Sequence, residues 1–403
     1  MTMVITGLGT VSPAGTGTDA YWAALVEGRT LLTPIPDVGA RGYPVRLGGR
    51  VPGFDPYEHI EGRYVVRTDA FSWFAMVASD EALRDSGVDV AADPYATGVL
   101  ICSGSGGNEF GQRELAALWG RGPEFVGPYQ SIAWFYAAST GQVSISNGLK
   151  GMCGVLTTDE PGMLDALGQS RQALRRGTPA MLVGGSDAAL GSPFALATQL
   201  GSGVLSEGGD PGTAYAPFTE GACGFVPAEG AAVALVEDAA TARARRARVR
   251  AVVAGHASTF GGVGAFDPGG EGLLRAAEEA MRRAGVGPEG VDVVFADAVG
   301  LPKADADEVA ALRRLFPDGV AVTAPKAGFG RAYAGAGALD VAAAVLSLEH
   351  QVVPPTPHVP DAPLGLDLVT RVARPARLRS ALVLSRGVGG GNSALVLQHP
   401  DHV

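Results

Sequence analysis

The sequence predicts an α/β fold made of two similar halves, on three observations. Short runs of Val, Ile, Leu and Ala alternate with longer segments of helical periodicity along the whole chain. The short runs are apolar throughout rather than alternating, which is the pattern of strands buried on both faces. The alternation plays out twice, and each round ends in a strand or a strand pair. Two domains are therefore expected, an N-terminal half over 1–248 and a C-terminal half over 249–403.

The elements follow in order. Val4 to Gly9 reads as a buried strand ending in a glycine turn, and Asp19 to Glu27 as a short helix that Asp19 can cap. Residues 30–60 are broken by five prolines and read as irregular. Asp69 to Asp85 is an amphipathic helix, with Asp69 as cap and Phe71, Phe74, Ala75, Ala78 and Ala82 as its stripe. Gly98 to Ser103 is a second buried strand. A glycine-rich turn leads from it into a helix over 109–119. Ser131 to Gln142 reads as an aromatic-rich helix. Buried strands are expected over 155–158, 180–184 and 230–237, with a helix over 163–175 between the first two. The Ala/Arg run 239–248 reads as a solvated helix leading out of the first half. The second half gives strands over 249–254, 291–295, 381–384 and 393–397, and helices over 272–284, 305–315 and 336–348.

Composition narrows the function. A net charge of −10 argues against nucleic acid or an anionic membrane surface as a partner. Three scattered cysteines show no metal-ligand spacing and fit reduced thiols in the cytoplasm. No apolar run is long enough to cross a membrane.

The chemistry concentrates at residues 151–176, GMCGVLTTDEPGMLDALGQSRQALRR. A strand runs into the tight turn Asp159-Glu160-Pro161-Gly162, and a helix follows. Pro161 suits the first helical turn, where its missing N–H has no partner to lose. Such a turn presents one side chain at the positive end of a helix, a place enzymes use for a nucleophile. Here that side chain is the carboxylate of Glu160, which is expected to stay ionised there.

Several stretches carry a family resemblance. VITGLGTVSPAG near the start, GFVPAEGAAVALVED, PKAGFGRAYAGAGALD and GVGGGNSALVL resemble the condensing enzymes of the thiolase superfamily. GGNEFGQREL, SIAWFYAASTGQVSI, FADAVGLP and TAPKAGFGRAYAGA resemble, more narrowly, the chain length factors, the ketosynthase β subunits of type II polyketide synthases. The resemblance implies a thiolase-like, five-layered αβαβα architecture. It also implies pairing with a cysteine-bearing ketosynthase α subunit, and a polyketide growing on an acyl carrier protein. That carrier docks mainly on the partner, because carrier protein and this chain are both acidic. Phosphopantetheine arrives on the carrier, and no cofactor or metal of the chain's own is expected.

Decarboxylative condensation needs a thiolate to carry the acyl chain and neutral or cationic donors to hold the malonyl thioester and its enolate. In the family pattern the cysteine position falls at Glu160 and the two histidine positions at Asp297 and Arg331. None of the six histidines stands at either place, and only Lys326 keeps its family identity. Glu160 and Asp297 would repel a malonyl carboxylate. Arg331 is expected to neutralise one or other of them, since buried carboxylates need a partner. A hydrolytic carboxylate pair is the other reading open on residue type. The loop Gly387 to Asn392 resembles the one that carries a gating Phe in ketosynthases, but Gly391 stands in the Phe position.

What remains is shape. By resemblance, bulky side chains on one helix end the polyketide tunnel near the dimer face, and those positions match Asn108, Gly111 and Leu115, spaced i, i+3 and i+7. Phe194 is a further candidate, one residue out of register with a Trp in relatives. Small residues at 108 and 111 predict a roomy tunnel, while an ordinary helix needing close packing at Gly111 is the plainer alternative. Gly104 to Gly107 lacks the spacing and the Lys of a P-loop and reads as a turn. Cys153 and Cys102 read as core. Trp134, Phe135 and Tyr136 fit either core or dimer face, and the resemblance favours the face. The expected function is a non-catalytic chain length factor. The alternative is a stand-alone malonyl-carrier-protein decarboxylase or ketosynthase using Glu160.

Overall fold

The computed structural model describes residues 1–36, 42–262, 266, 268–359 and 363–402. The first half of the chain supplies β1 (Met3–Ser12), β2 (Thr97–Ser103), β3 (Cys153–Thr157), β4 (Ala180–Ala188) and β5 (Glu229–Asp238). The second supplies β6 (Ala251–Phe260), β7 (Val293–Phe295), β8 (Ala321–Thr323), β9 (Asp367–Leu368), β10 (Ser380–Arg386) and β11 (Gly391–Gln398). They hydrogen-bond in the order β3-β2-β4-β5-β1-β6-β11-β10-β7-β8-β9.

The pairing pattern repeats. β1·β5 and β5·β4 are antiparallel, and β4·β2 and β2·β3 are parallel. In the second half β6·β11 and β11·β10 are antiparallel, and β10·β7 and β7·β8 are parallel. The halves join where Met3 to Ile5 of β1 pair with Ala251 to Val253 of β6. The duplication is thus plain in topology, although the sequence repeat is faint.

The helices make the layers: α1 (Ala70–Ser86), α2 (Asn108–Arg121), α3 (Ala138–Ser146), α4 (Gly162–Arg175), α5 (Pro193–Leu200), α6 (Glu271–Ala284), α7 (Pro302–Leu315) and α8 (Ala334–His350). α4 and α8 pack on each other and against strands of both halves, so they form the middle layer. α1 covers the outer face of β1, β5 and β4, and α6 and α7 cover the outer face of the second half. Five layers result, αβαβα. The middle position explains the composition of α8: every residue from Ala334 to Leu348 is buried. Sheets close in from both sides, so the helix is rich in Ala and Gly, while Leu339, Leu346 and Leu348 each contribute about 2 kcal/mol of apolar burial. Gly337 allows the tightest approach, since a Cβ there would stand 2.2 Å from the carbonyl oxygen of Glu160.

Several local expectations are corrected. β3 is the edge of the sheet and only half-buried, and Cys153 is exposed on it rather than in the core. The helix expected over 131–142 is two, Gln130–Ala133 and Ala138–Ser146. The chain turns between them at Trp134 to Ala137, where Trp134 and Phe135 are exposed. The first helix is Thr18–Val26, with Gly17 at its cap position and Asp19 inside its first turn. The Ala/Arg helix ends at Ala244, because Arg245 leaves it to bond Glu237 and the carbonyl of Ser86.

Candidate functional site

Glu160 sits between β3 and α4, with Pro161 at the cap position of the helix (φ −63°). Asp297 follows β7, and Arg331 lies in the turn before α8. The three come together in the middle of the molecule, each buried to within 1% of complete. Arg331 Nη2 donates to Asp297 Oδ1 at 2.9 Å and Nη1 to the Asp297 carbonyl at 2.7 Å. Its Nε lies 3.6 Å from Glu160 Oε1, an ion-pair distance without a hydrogen bond. Arg331 thus faces both carboxylates and bonds only Asp297.

Three further charged residues, Arg386, Glu308 and Asp340, missed by sequence reasoning, complete the cluster. Arg386, at the end of β10, bonds Asp297 Oδ2 through Nε at 2.9 Å and Glu308 Oε2 through Nη2 at 2.8 Å. Glu308 also accepts the backbone N–H groups of Asp297 and Ala298. Lys326 pairs with Asp340 and reaches the Asp297 carbonyl at 3.2 Å. The only hint of Arg386 is a charge at the end of the apolar run ALVLSR.

Counting charges explains the titration. The cations Arg331, Arg386 and Lys326 each have a hydrogen-bonded or close acid, in Asp297, Glu308 and Asp340. Burial works against ionised Asp297, but Arg331, Arg386 and Lys326 outweigh it and hold the carboxyl down at about 2. Glu160 is an acid left without a hydrogen-bonded cation. Burial pushes it up to about 7, against the opposing pull of Arg331, and its Oε2 has no hydrogen-bond partner. This corrects the expectation of a permanently ionised Glu160: desolvation beats the helix terminus.

A cavity of about 350 Å³ lies alongside, lined by Gly104, Asn108, Gly111, Leu115, Trp134, Phe194 and Tyr333 among others. All four residues proposed from sequence as tunnel positions meet there. Asn108 and Gly111 face it from α2, and Phe194 from α5, whose backbone N–H at 194 is held by Gln112 Oε1 at 2.9 Å. Gly111 has room in front of it: an added Cβ would meet only the Trp134 Cβ, at 3.5 Å. The glycine-rich turn serves close approach rather than phosphate binding, for a Cβ on Gly107 would lie 2.0 Å from the Ala133 carbonyl oxygen. Asp187, also missed from sequence, ties this turn to α8. It accepts from Ser103 Oγ, Gly104 N–H, Ser105 N–H and Ala334 N–H at 2.6–3.0 Å. Leu115 and Trp119 on α2, and Phe125, Trp134, Phe135 and Phe194 on or beside the segments packed against it, are exposed. Among the described residues no group of His, Cys, Asp and Glu is arranged to hold a metal, and no helix is long and apolar enough to cross a membrane.

Family models agree with this architecture. The N-terminal domain of β-ketoacyl synthase matches residues 2–242 and its C-terminal domain residues 250–360. The chain belongs to the β-ketoacyl synthase family, with its thiolase-like fold. Within the family its relatives place it on the ketosynthase β branch of type II polyketide synthases, the chain length factors. A putative polyketide beta-ketoacyl synthase 2 of Streptomyces coelicolor is 54% identical over 98% of this chain and 94% of that protein. The tetracenomycin polyketide synthase ketoacyl synthase beta subunit of Streptomyces glaucescens is 48% identical over 98% of both. The solved ishigamide ketosynthase/chain length factor superposes at a TM-score of 0.89 with 26% identity, over 98% of each chain.

Proposed function

We propose that this chain is the non-catalytic, length-setting subunit of a cytoplasmic ketosynthase heterodimer. One juxtaposition carries the reading. Where the family pattern sets a nucleophile and two histidines, the chain holds a closed, solvent-free cluster of acids and bases, and beside it lies an apolar cavity. The cluster lacks a thiol, so it cannot carry an acyl group, and its cations are buried and face its own acids rather than an open site, so it is poorly placed to steady an enolate. The cavity can still hold an acyl chain that a cysteine-bearing partner elongates across the apolar face. The phosphopantetheine arm belongs to the carrier protein, which docks mainly on that partner. Asn108, Gly111, Leu115 and Phe194 shape the space available to the product.

The decarboxylase alternative has one observation in its favour. A carboxyl titrating at about 7 is half protonated at neutral pH, and a protonated Glu160 is a neutral donor. Its burial opposes this, since Glu160 is 1% exposed and no substrate reaches it. A hydrolytic pair fails for the same reason, with Arg331 facing both acids.

Two measurements test the reading. The purified chain, given malonyl carrier protein, should release no CO₂ and take up no acyl group. Complexed with an active partner, Gly111→Trp should shorten the polyketide, because the indole fills the cavity in front of Trp134. Unchanged product length would remove α2 from the tunnel.

A further inference from the structure

Tyr333 stands out by its backbone. It precedes α8 with φ 48° and ψ −126°, a combination that side-chain-bearing residues rarely adopt. Strain of this kind persists only where the surroundings enforce it, and it clusters at functional positions. The surroundings are on both sides. Asp187 holds the N–H of the next residue, Ala334, at 3.0 Å. Before it, Arg331 donates its backbone N–H to the carbonyl of Val226 at 2.9 Å and its side chain to Asp297. The turn is therefore pinned at 331 and at 334, and Tyr333 takes up the difference.

The side chain lies between two regions. It lines the cavity with Asn108, Gly111, Leu115, Trp134 and Phe194. The segment that carries it packs on the Glu160 turn: a Cβ on Gly162 would meet the Ala334 Cβ at 3.2 Å, and one on Gly337 would meet the Glu160 carbonyl oxygen at 2.2 Å. Consistent with that placement, burial and then the charges of Glu160, Asp187 and Asp159 push the Tyr333 hydroxyl well above the usual range. Glu160 itself does not line the cavity. A residue that faces the cavity and borders Glu160, while Glu160 stays enclosed, is a wall between them.

We propose that Tyr333 is the inner end wall of the cavity. It stops the acyl chain there and keeps it away from the buried carboxyl of Glu160. This deepens the proposed function and rests on it. Asn108 and Gly111 line the cavity from α2, whereas Tyr333 closes it toward the core. Shape rather than the hydroxyl does the work, since no hydrogen bond ties the hydroxyl to the described residues.

The test uses the complete heterodimer with malonyl carrier protein, comparing Tyr333→Phe, Tyr333→Leu, Tyr333→Ala and, as control, Gly111→Trp. Tyr333→Phe should leave the products unchanged. Tyr333→Leu and Tyr333→Ala should shift them longer by at least one extension, with the complex intact by size-exclusion chromatography. Gly111→Trp should shift them shorter. If Gly111→Trp shortens the products and neither smaller residue at 333 lengthens them, the end wall lies elsewhere. If Tyr333→Phe alters length as much as Tyr333→Ala, the hydroxyl rather than the ring is responsible and the wall is disproved. If Gly111→Trp also has no effect, the tunnel reading itself fails, and the wall with it. A second readout needs no partner: the longest straight-chain fatty acid that displaces an apolar fluorescent probe from the purified chain should be longer for Tyr333→Ala. An unchanged limit counts against the wall.

Discussion

Glu160 is where residue-scale physics makes a pH prediction. Burial holds its folded-state carboxyl at about 7, above the ordinary glutamate value of 4.5. Between those values the folded chain keeps a proton that the unfolded chain has released. Stability is therefore undiminished below about pH 4.5 and falls as pH rises toward 7. Glu160→Gln removes the titration and keeps the shape. The variant should be more stable than the parent by on the order of 3 kcal/mol near pH 8. Near pH 4.5 the two should match, with urea denaturation as the measure at both. A variant less stable near pH 8 would mean that Arg331 stabilises the ionised carboxylate by more than burial costs it. The meeting of Glu160, Asp297 and Arg331 was legible because flanking motifs set their positions. Arg386 and Asp187 were not, because a lone charge at the end of an apolar strand has no periodic signature, and only the third dimension supplies its partners.

The helices that border the cavity are fixed by single residues, and Asp69 does this twice. Its Oδ1 accepts the Ala70 N–H at 2.6 Å, capping α1, and its Oδ2 accepts the Phe110 N–H at 2.8 Å in the first turn of α2. Asp69→Ala should cost about 2 kcal/mol, since each lost cap is worth about 1 kcal/mol. Asp69→Asn keeps one acceptor and should lose about half as much, again by urea denaturation. Equal losses would mean that the second bond contributes nothing. The first cap was readable, because Asp69 stands immediately before an amphipathic stripe. The second spans 41 residues and was not. The same division runs through the other elements. Long periodic helices such as α1, α4 and α8 were placed to within two residues. The break between Gln130–Ala133 and α3 was missed, because an apolar aromatic run carries the same signal whether it lies in a core or turns outward. β3 was read as buried for a similar reason: apolar composition does not distinguish an interior strand from an edge awaiting a neighbour.

At the scale of the whole molecule that edge is the unfinished part. β3 pairs only with β2 among the described strands, so one row of its backbone N–H and C=O groups faces outward. Around it lie Ile145 at 59% exposed on α3, Met152 at 47% and Phe135 at 51%. Soluble proteins rarely leave an edge strand and a patch of large apolar side chains together unless another chain covers both. Ile145→Asp separates folding from assembly. The side chain is exposed, so the isolated chain should keep its unfolding free energy within about 0.5 kcal/mol. In the assembled state the same carboxylate would be stripped of water with no cation to receive it, a cost of several kcal/mol. Co-expression with a cysteine-bearing ketosynthase should yield a complex with the parent chain and free subunits with the variant, as seen by size-exclusion chromatography. A stable complex with Ile145→Asp would place the partner on another face and leave the β3 edge unexplained.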